Sequence, residues 1–118
     1  MTEKETQRVQ DYIEHILGAI ERIESYVRDL DQTAFDRNTL VQDAVIRNFE
    51  IIGEAANKIQ LADSAFAQRH PQLRLDLAYR MRNVLIHGYD SVNLSTIWNT
   101  IQSDLPTLRH QLANIPPG

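Results

Sequence analysis

A chain of 118 residues with 42% hydrophobic content is the size of one ordinary domain, with apolar side chains for a single core. Cysteine is absent, which removes disulfide frameworks, thiol nucleophiles and cysteine-based zinc or iron sites, so any chemistry must use other groups. No apolar run approaches the roughly 20 residues that cross a bilayer, and the opening MTEKETQRVQ has charge with no apolar stretch behind it; neither a membrane span nor a leader is expected, and the cytoplasm is the default compartment.

The formal net charge of −4 argues against a general polyanion binder, but the charge is unevenly placed: residues 1–36 are acidic and residues 37–118 slightly basic. Arg69, Arg74, Arg80 and Arg82 are opposed before Asp90 only by Asp76. That pattern is either an arginine-rich surface patch or a solvated face with ordinary ion pairs.

The periodicity is helical throughout and no stretch alternates like a half-buried strand, so the fold class is all-α. A first helix starts near Thr2, which has capping-box spacing to Glu5, and carries Val9, Tyr12, Ile13, Ile16, Ile20, Ile23, Val27 and Leu30 along one stripe. Asp31 to Asn38 reads as a loop. Asn38 or Thr39 caps a second, more apolar helix with Leu40, Val41, Ala44, Val45, Ile51, Ile52, Ala55 and Ile59. A break at Ala62 to Pro71 follows, with Ser64 as cap of a short extra turn. Residues 73–87 form the third helix, apolar at Leu77, Met81, Val84 and Leu85, with Gly88 just past its end in the position that favours a left-handed residue. Ser91 or Asn93 caps the fourth, which runs through Leu94, Ile97, Trp98, Ile101, Leu105, Leu108 and Leu112 and is expected to kink at Pro106 or restart at Asp104. The four segments suit a single antiparallel four-helix bundle over 1–118, with frayed ends at 1–5 and 114–118.

The segment RNVLIHGYD, Arg82 to Asp90, stands out because an arginine, a histidine and a tyrosine interrupt an apolar helix end. On a continuous helix Arg82 and His87 lie about 140° apart, so they reach one phosphate only if the helix loosens or two copies of the motif meet across a two-fold axis. An imidazole with an ordinary pKa of about 6.5 can take the proton of a ribose 2′-hydroxyl and return one to a leaving 5′-oxygen. A guanidinium offers a planar fork to the phosphoryl oxygens as their charge grows. Together the two suffice for RNA cleavage without a metal. Asn83 can orient phosphate or ribose, and the Tyr89 phenol can bond the phosphate or be modified. Residue types alone also admit a plainer account: a solvated Arg82, a His87 that settles the helix dipole, and a Tyr89 that packs.

RNVLIHGYD resembles the R-x4-H-x-Y signature of HEPN domains, specifically the small HepT-like toxins of toxin–antitoxin pairs. The likeness covers nearly the whole chain: IRNFEIIGEAANKI, from Ile46 to Ile59, resembles that family's second-helix signature, and LSTIWNTIQSDLPTL, from Leu94 to Leu108, resembles its last helix. Two departures are Gly88 between the histidine and tyrosine, and LAYRMRN in place of a form with a glycine before Met-Arg-Asn. The resemblance implies a homodimeric HEPN bundle acting as a metal-independent ribonuclease, with Arg82 and His87 of both subunits lining a cleft and no cofactor for cleavage. It implies a partner too, a nucleotidyltransferase antitoxin of the MNT type that uses ATP to transfer AMP to Tyr89. The substrate would be transfer or messenger RNA, in a system of the type VII kind.

Along the second helix, Arg47, Glu50, Glu54, Asn57 and Lys58 form a polar stripe. They are either surface ion pairs or, in the case of Arg47 and Glu54, supports that orient the catalytic groups. His15, His70 and His110 are isolated, so no metal site is expected, and Trp98 reads as core. The competing function, from a different class, is a dimeric helical adaptor that binds a nucleotidyltransferase or nucleic acid without cutting it.

Overall fold

The computed structural model describes residues 3–87 and 93–115, and among these every regular element is helical. The expected caps at Thr2 and Ser91, the Gly88 helix end, and the apolar roles of the Leu77 and Val84 side chains lie outside the described residues.

Helix α1, Glu3–Val27, buries Val9, Ile13, Ile16, Ile20, Ile23 and Val27, the stripe set by spacings of three and four. Leu30 lies beyond the helix end and is half-buried. The segment expected as a loop contains a short helix, α2, Gln32–Asp36. The Asp31 carboxylate caps it by accepting from the Ala34 N–H at 2.8 Å, and Phe35 is fully buried with its ring centroid 5.4 Å from that of Trp98. One aromatic residue in the polar run DQTAFDRN has no period to reveal it; burial of its ring organises the turn.

Helix α3, Thr39–Ala62, begins at Asn38, whose side chain accepts from the Val41 N–H at 3.0 Å. Its buried residues Val45, Ile52, Ala55 and Ile59 follow the expected stripe, whereas Leu40 is 80% exposed. At 100° per residue Leu40 stands about 140° around the helix from Val45, away from the core. Asn48 is the one buried polar residue among those described. It donates to the Ala44 carbonyl at 2.9 Å and accepts from Arg22 Nε at 2.8 Å, tying α3 to α1 with its polar groups satisfied.

The α3 helix ends and α4, Ser64–Arg69, begins at one residue, Asp63. Its N–H bonds to the Ile59 carbonyl at 2.9 Å and its carboxylate accepts from the Phe66 N–H at 3.0 Å. The cap is therefore Asp63 and not Ser64: the residue ending α3 already has the non-helical backbone that a cap requires. A 3₁₀ turn at Pro71–Leu73 follows, closed by Arg74 in the left-handed region at φ 50°. This corner delays α5 to Leu75–His87, two residues after its expected start.

After Asn93, which caps by accepting from the Thr96 N–H at 3.1 Å, α6 runs over Leu94–Asn99. The restart expected at Asp104 is found, with Pro106 in the first turn of the helix that follows. A π turn at Thr100–Asp104 carries the helix into α7, Leu105–Ala113, with right-handed helical backbone at both junctions. A proline has no N–H to give to the turn before it, and a wider turn accommodates that loss while keeping the backbone helical. Beyond α7, Ile115 packs against the core.

Helix α3 is central, packed between α1 and α5, and α7 returns onto α1 and the 3₁₀ turn. The smallest extent, 20 Å, is about two helix diameters, so the helices form a thin slab 47 Å long. The α3–α5 contact is set at Gly53, where an added Cβ would lie 2.3 Å from Arg82 Cβ and 2.9 Å from the Ala78 carbonyl oxygen. At Gly18 an added Cβ would meet only the Arg22 guanidinium, at 3.4 Å.

The two glycines therefore predict opposite signs. Each gains about 1 kcal/mol of helix propensity on replacement by alanine. Gly18→Ala keeps that gain and should raise the thermal midpoint by a few degrees. Gly53→Ala must push α5 off α3 and should lower it. Thermal denaturation followed by circular dichroism decides, and a Gly53→Ala protein at least as stable as the parent would contradict the close helix contact.

Candidate active site

The polar stripe of α3 and the middle of α5 meet beside α1 in an open cleft of about 240 Å³. From α3 come Arg47, Glu50, Ile51, Glu54, Ala55 and Lys58; from α5, Arg82; from α1, Tyr12 and His15. Residues 47, 50, 54 and 58 recur at three and four positions, which stacks them along one wall of the helix.

Charge in the cleft is arranged around Glu54. One of its carboxylate oxygens is 3.3 Å from Arg82 Nη2 and the other 4.0 Å from Lys58 Nζ, so it serves two cations. Arg47 pairs with Glu50 at 3.4 Å. Three cations against two carboxylates leave one excess positive charge, balanced when one phosphodiester enters. Arg82 Nη1 also donates to the Asn83 amide oxygen at 3.0 Å, and its guanidinium carbon lies 6.0 Å from the centre of the Tyr79 ring. Its Nε is buried and has no hydrogen-bond partner.

Of the site residues named from the sequence, Arg47, Glu54 and Arg82 line this cleft, and Asn83 is bonded to Arg82. Asn57 is not among the lining residues, and Glu50 and Lys58 are. The two readings of the stripe are compatible: its members do form ion pairs, and those pairs line the cleft. His87 is the last residue of α5, but its side chain, like Tyr89 as a whole, lies outside the described residues. The arginine patch suggested by composition is largely neutralised: Arg69 pairs with Asp63, Arg80 with Asp76 and Arg82 with Glu54. Trp98 packs against Phe35 at the core.

Sequence reasoning missed the α1 wall. From the sequence Tyr12 reads as part of the apolar stripe and His15 as an isolated histidine. The available signal was their spacing of three on the flank of that stripe. No helix among the described residues is long and apolar enough to cross a membrane.

This fold and cleft define an all-helical domain with a cationic groove, and comparison with known proteins places it more narrowly. A family model described as ribonuclease HepT-like matches residues 16–115. A probable ribonuclease HepT of Thermococcus cleftensis is 39% identical over 100 residues, covering 85% of this chain and 88% of that protein. A protein of Caldanaerobacter subterraneus subsp. tengcongensis named "putative RNase" is 33% identical, covering 88% of this chain and 90% of its own length. A Methanocaldococcus jannaschii protein named "gamma-glutamylcyclotransferase and putative RNase" is 35% identical over 107 residues; the match takes in 91% of this chain but only 47% of that protein. No solved structure matches the chain. The chain belongs to the HepT-like ribonuclease family.

The ion pairs and the buried amide make different predictions for stability. The Arg82 and Glu54 side chains are 27% and 47% exposed, so their pair contributes at most about 1 kcal/mol. Asn48→Ala removes a buried amide and its hydrogen bond from the charged Arg22 guanidinium, which costs about 1–3 kcal/mol. Urea unfolding should therefore find Asn48→Ala less stable than Glu54→Ala. The reverse order would mean that Glu54 supports the fold and not the cleft.

Proposed function

We propose that this chain is a metal-independent endoribonuclease, the toxin of a HEPN/MNT toxin–antitoxin pair of the type VII kind, working as a homodimer of antiparallel helical bundles. The observation that carries the reading is Arg82. It lies in a cationic cleft, its Nε lacks a partner, and it stands five positions before a histidine on the same helix. Membership of a family of ribonucleases supports the same assignment.

Arg82 is weakly held. Its pair with Glu54 is partly solvated, and an unsatisfied buried N–H favours any rearrangement that satisfies it. A phosphodiester entering the cleft offers two oxygens to the guanidinium fork, a stronger partner than a carboxylate shared with Lys58. Glu54 and Asn83 then act as positioning residues, fixing where the fork starts, while Arg47 supplies positive potential at the cleft edge.

The reaction is an in-line displacement within the RNA. His87 accepts the 2′-hydroxyl proton, the 2′-oxygen bonds to phosphorus, and the bond from phosphorus to the 5′-oxygen breaks as that oxygen takes a proton from the imidazolium so formed. Arg82 balances the charge on the phosphoryl oxygens. The products are a 2′,3′-cyclic phosphate and a 5′-hydroxyl. Because positions 82 and 87 are about 140° apart around an ideal α-helix, the complete site takes its groups from two subunits.

Regulation falls on Tyr89. The antitoxin transfers AMP from ATP to the phenol, releasing pyrophosphate; the added phosphate and nucleoside then exclude RNA by charge and bulk.

The purified protein should cleave RNA in EDTA, spare DNA and leave 2′,3′-cyclic ends. Arg82→Ala and His87→Ala should each reduce cleavage at least about 100-fold, the range for losing an electrostatic or acid–base group. A folded His87→Ala protein with full activity would remove His87 from the mechanism, and RNA binding without cleavage under any condition would favour the adaptor reading.

An MNT-type partner with ATP should add the mass of AMP to the wild-type protein and not to Tyr89→Phe. Peptide mass spectrometry locates the adduct, and a Tyr89→Phe protein that is still modified and silenced excludes this site.

A further inference from the structure

On the α1 wall of the cleft two rings stand three residues apart, on the flank of the stripe formed by Val9, Ile13 and Ile16. Tyr12 is half-buried and packed against the core, whereas His15 is exposed. Their centroids are 6.0 Å apart and their planes meet at 67°, an edge-to-face contact that holds the imidazole against a firm support. The Lys58 ammonium lies over the Tyr12 ring at 5.8 Å from its centre, so that ring is already engaged by a cation. The ring left to solvent beside the cations is His15.

We propose that His15, buttressed by Tyr12, is the stacking platform for an unpaired base of the RNA, with Lys58 placed to meet the phosphate of the same nucleotide; this rests on the ribonuclease reading given above. The chemistry of the cleft favours this occupant. Aromatic rings interleaved with cations are what a single strand requires, because the backbone follows the charge and the bases stack on the rings. The cleft holds Arg47, Lys58 and Arg82 together with these two rings. A base inside a duplex keeps its faces covered by its neighbours, so a platform in this position selects for loops, bulges or ends.

Lys58 and Arg82 share Glu54, which links the platform to the scissile position. A nucleotide that draws Lys58 away leaves Glu54 to Arg82 alone. His15 touches a base and not the reacting atoms, so its effect belongs mainly in binding.

The test uses the full chain and two probes of one sequence: a single-stranded oligoribonucleotide, and its 2′-O-methyl form, which has no free 2′-hydroxyl to attack. Binding of the methylated strand is read by fluorescence anisotropy and cleavage of the unmodified strand by gel. His15→Ala should weaken binding by about 5- to 150-fold, the range for losing one base stack. It should raise KM with little change in kcat, and His15→Phe should restore both readouts. The same strand in a duplex should show no difference between the proteins.

Unchanged binding by a folded His15→Ala protein overturns the platform, even if RNA is cleaved. A loss of kcat that phenylalanine does not repair also overturns it, because the imidazole would then act by hydrogen bonding or proton transfer. Ring-dependent binding with no cleavage would uphold the platform and overturn the ribonuclease reading, so the two claims fail separately.

Discussion

The missing side chain at Gly53 is the constraint on which the arrangement depends. A methyl group there would overlap Arg82 Cβ and crowd the Ala78 carbonyl, so only glycine lets α5 lie this close to α3. Glu54 is the next residue along α3, and its carboxylate reaches the guanidinium that starts from the same contact. The two helices thus meet at a point that also sets the relation between an arginine and its counter-ion. Packing and electrostatics share one backbone position, and a glycine that weakens an isolated helix is retained because the pair of helices needs it.

Around this contact the cleft is charged but lightly bound. Each of its ion pairs is partly open to water, so none is strong enough to lock the cations in place. Such pairs can exchange an internal partner for an external anion at little cost. The satisfied polar link is elsewhere, at Asn48, which accepts from Arg22 across to α1 and donates to the Ala44 carbonyl within α3, away from the cleft. The polar group that secures the helix packing and those that line the cleft are different residues of the same helix.

The long helices were readable because their apolar residues recur at helical spacing, and the buried residues of α1 and α3 largely follow the expected stripes. What escaped had no period. Phe35 is a single ring in a polar run, Asp63 does two jobs that look like one, and Pro106 is accommodated by a π turn that no residue pattern announces. For the site, Arg47 and Glu54 were legible as one face of a helix, and Arg82 through the motif around it. Tyr12 and His15 were not, since their presence in the cleft depends on how α1 is rotated against α3. That rotation is fixed by the buried contacts of the two helices, including Asn48 with Arg22, and not by the spacing within either.

The shared residue between α3 and α4 has a dynamic consequence. Asp63 satisfies the last turn of one helix with its backbone and the first turn of the next with its carboxylate. Neither end can fray without releasing the other, so the two helices open and close as one cooperative unit. The amides of Asp63 and Phe66, though they belong to different helices, should exchange with solvent at a common rate set by that opening. A boundary that looks like a break in the chain behaves, in energetic terms, as a splice.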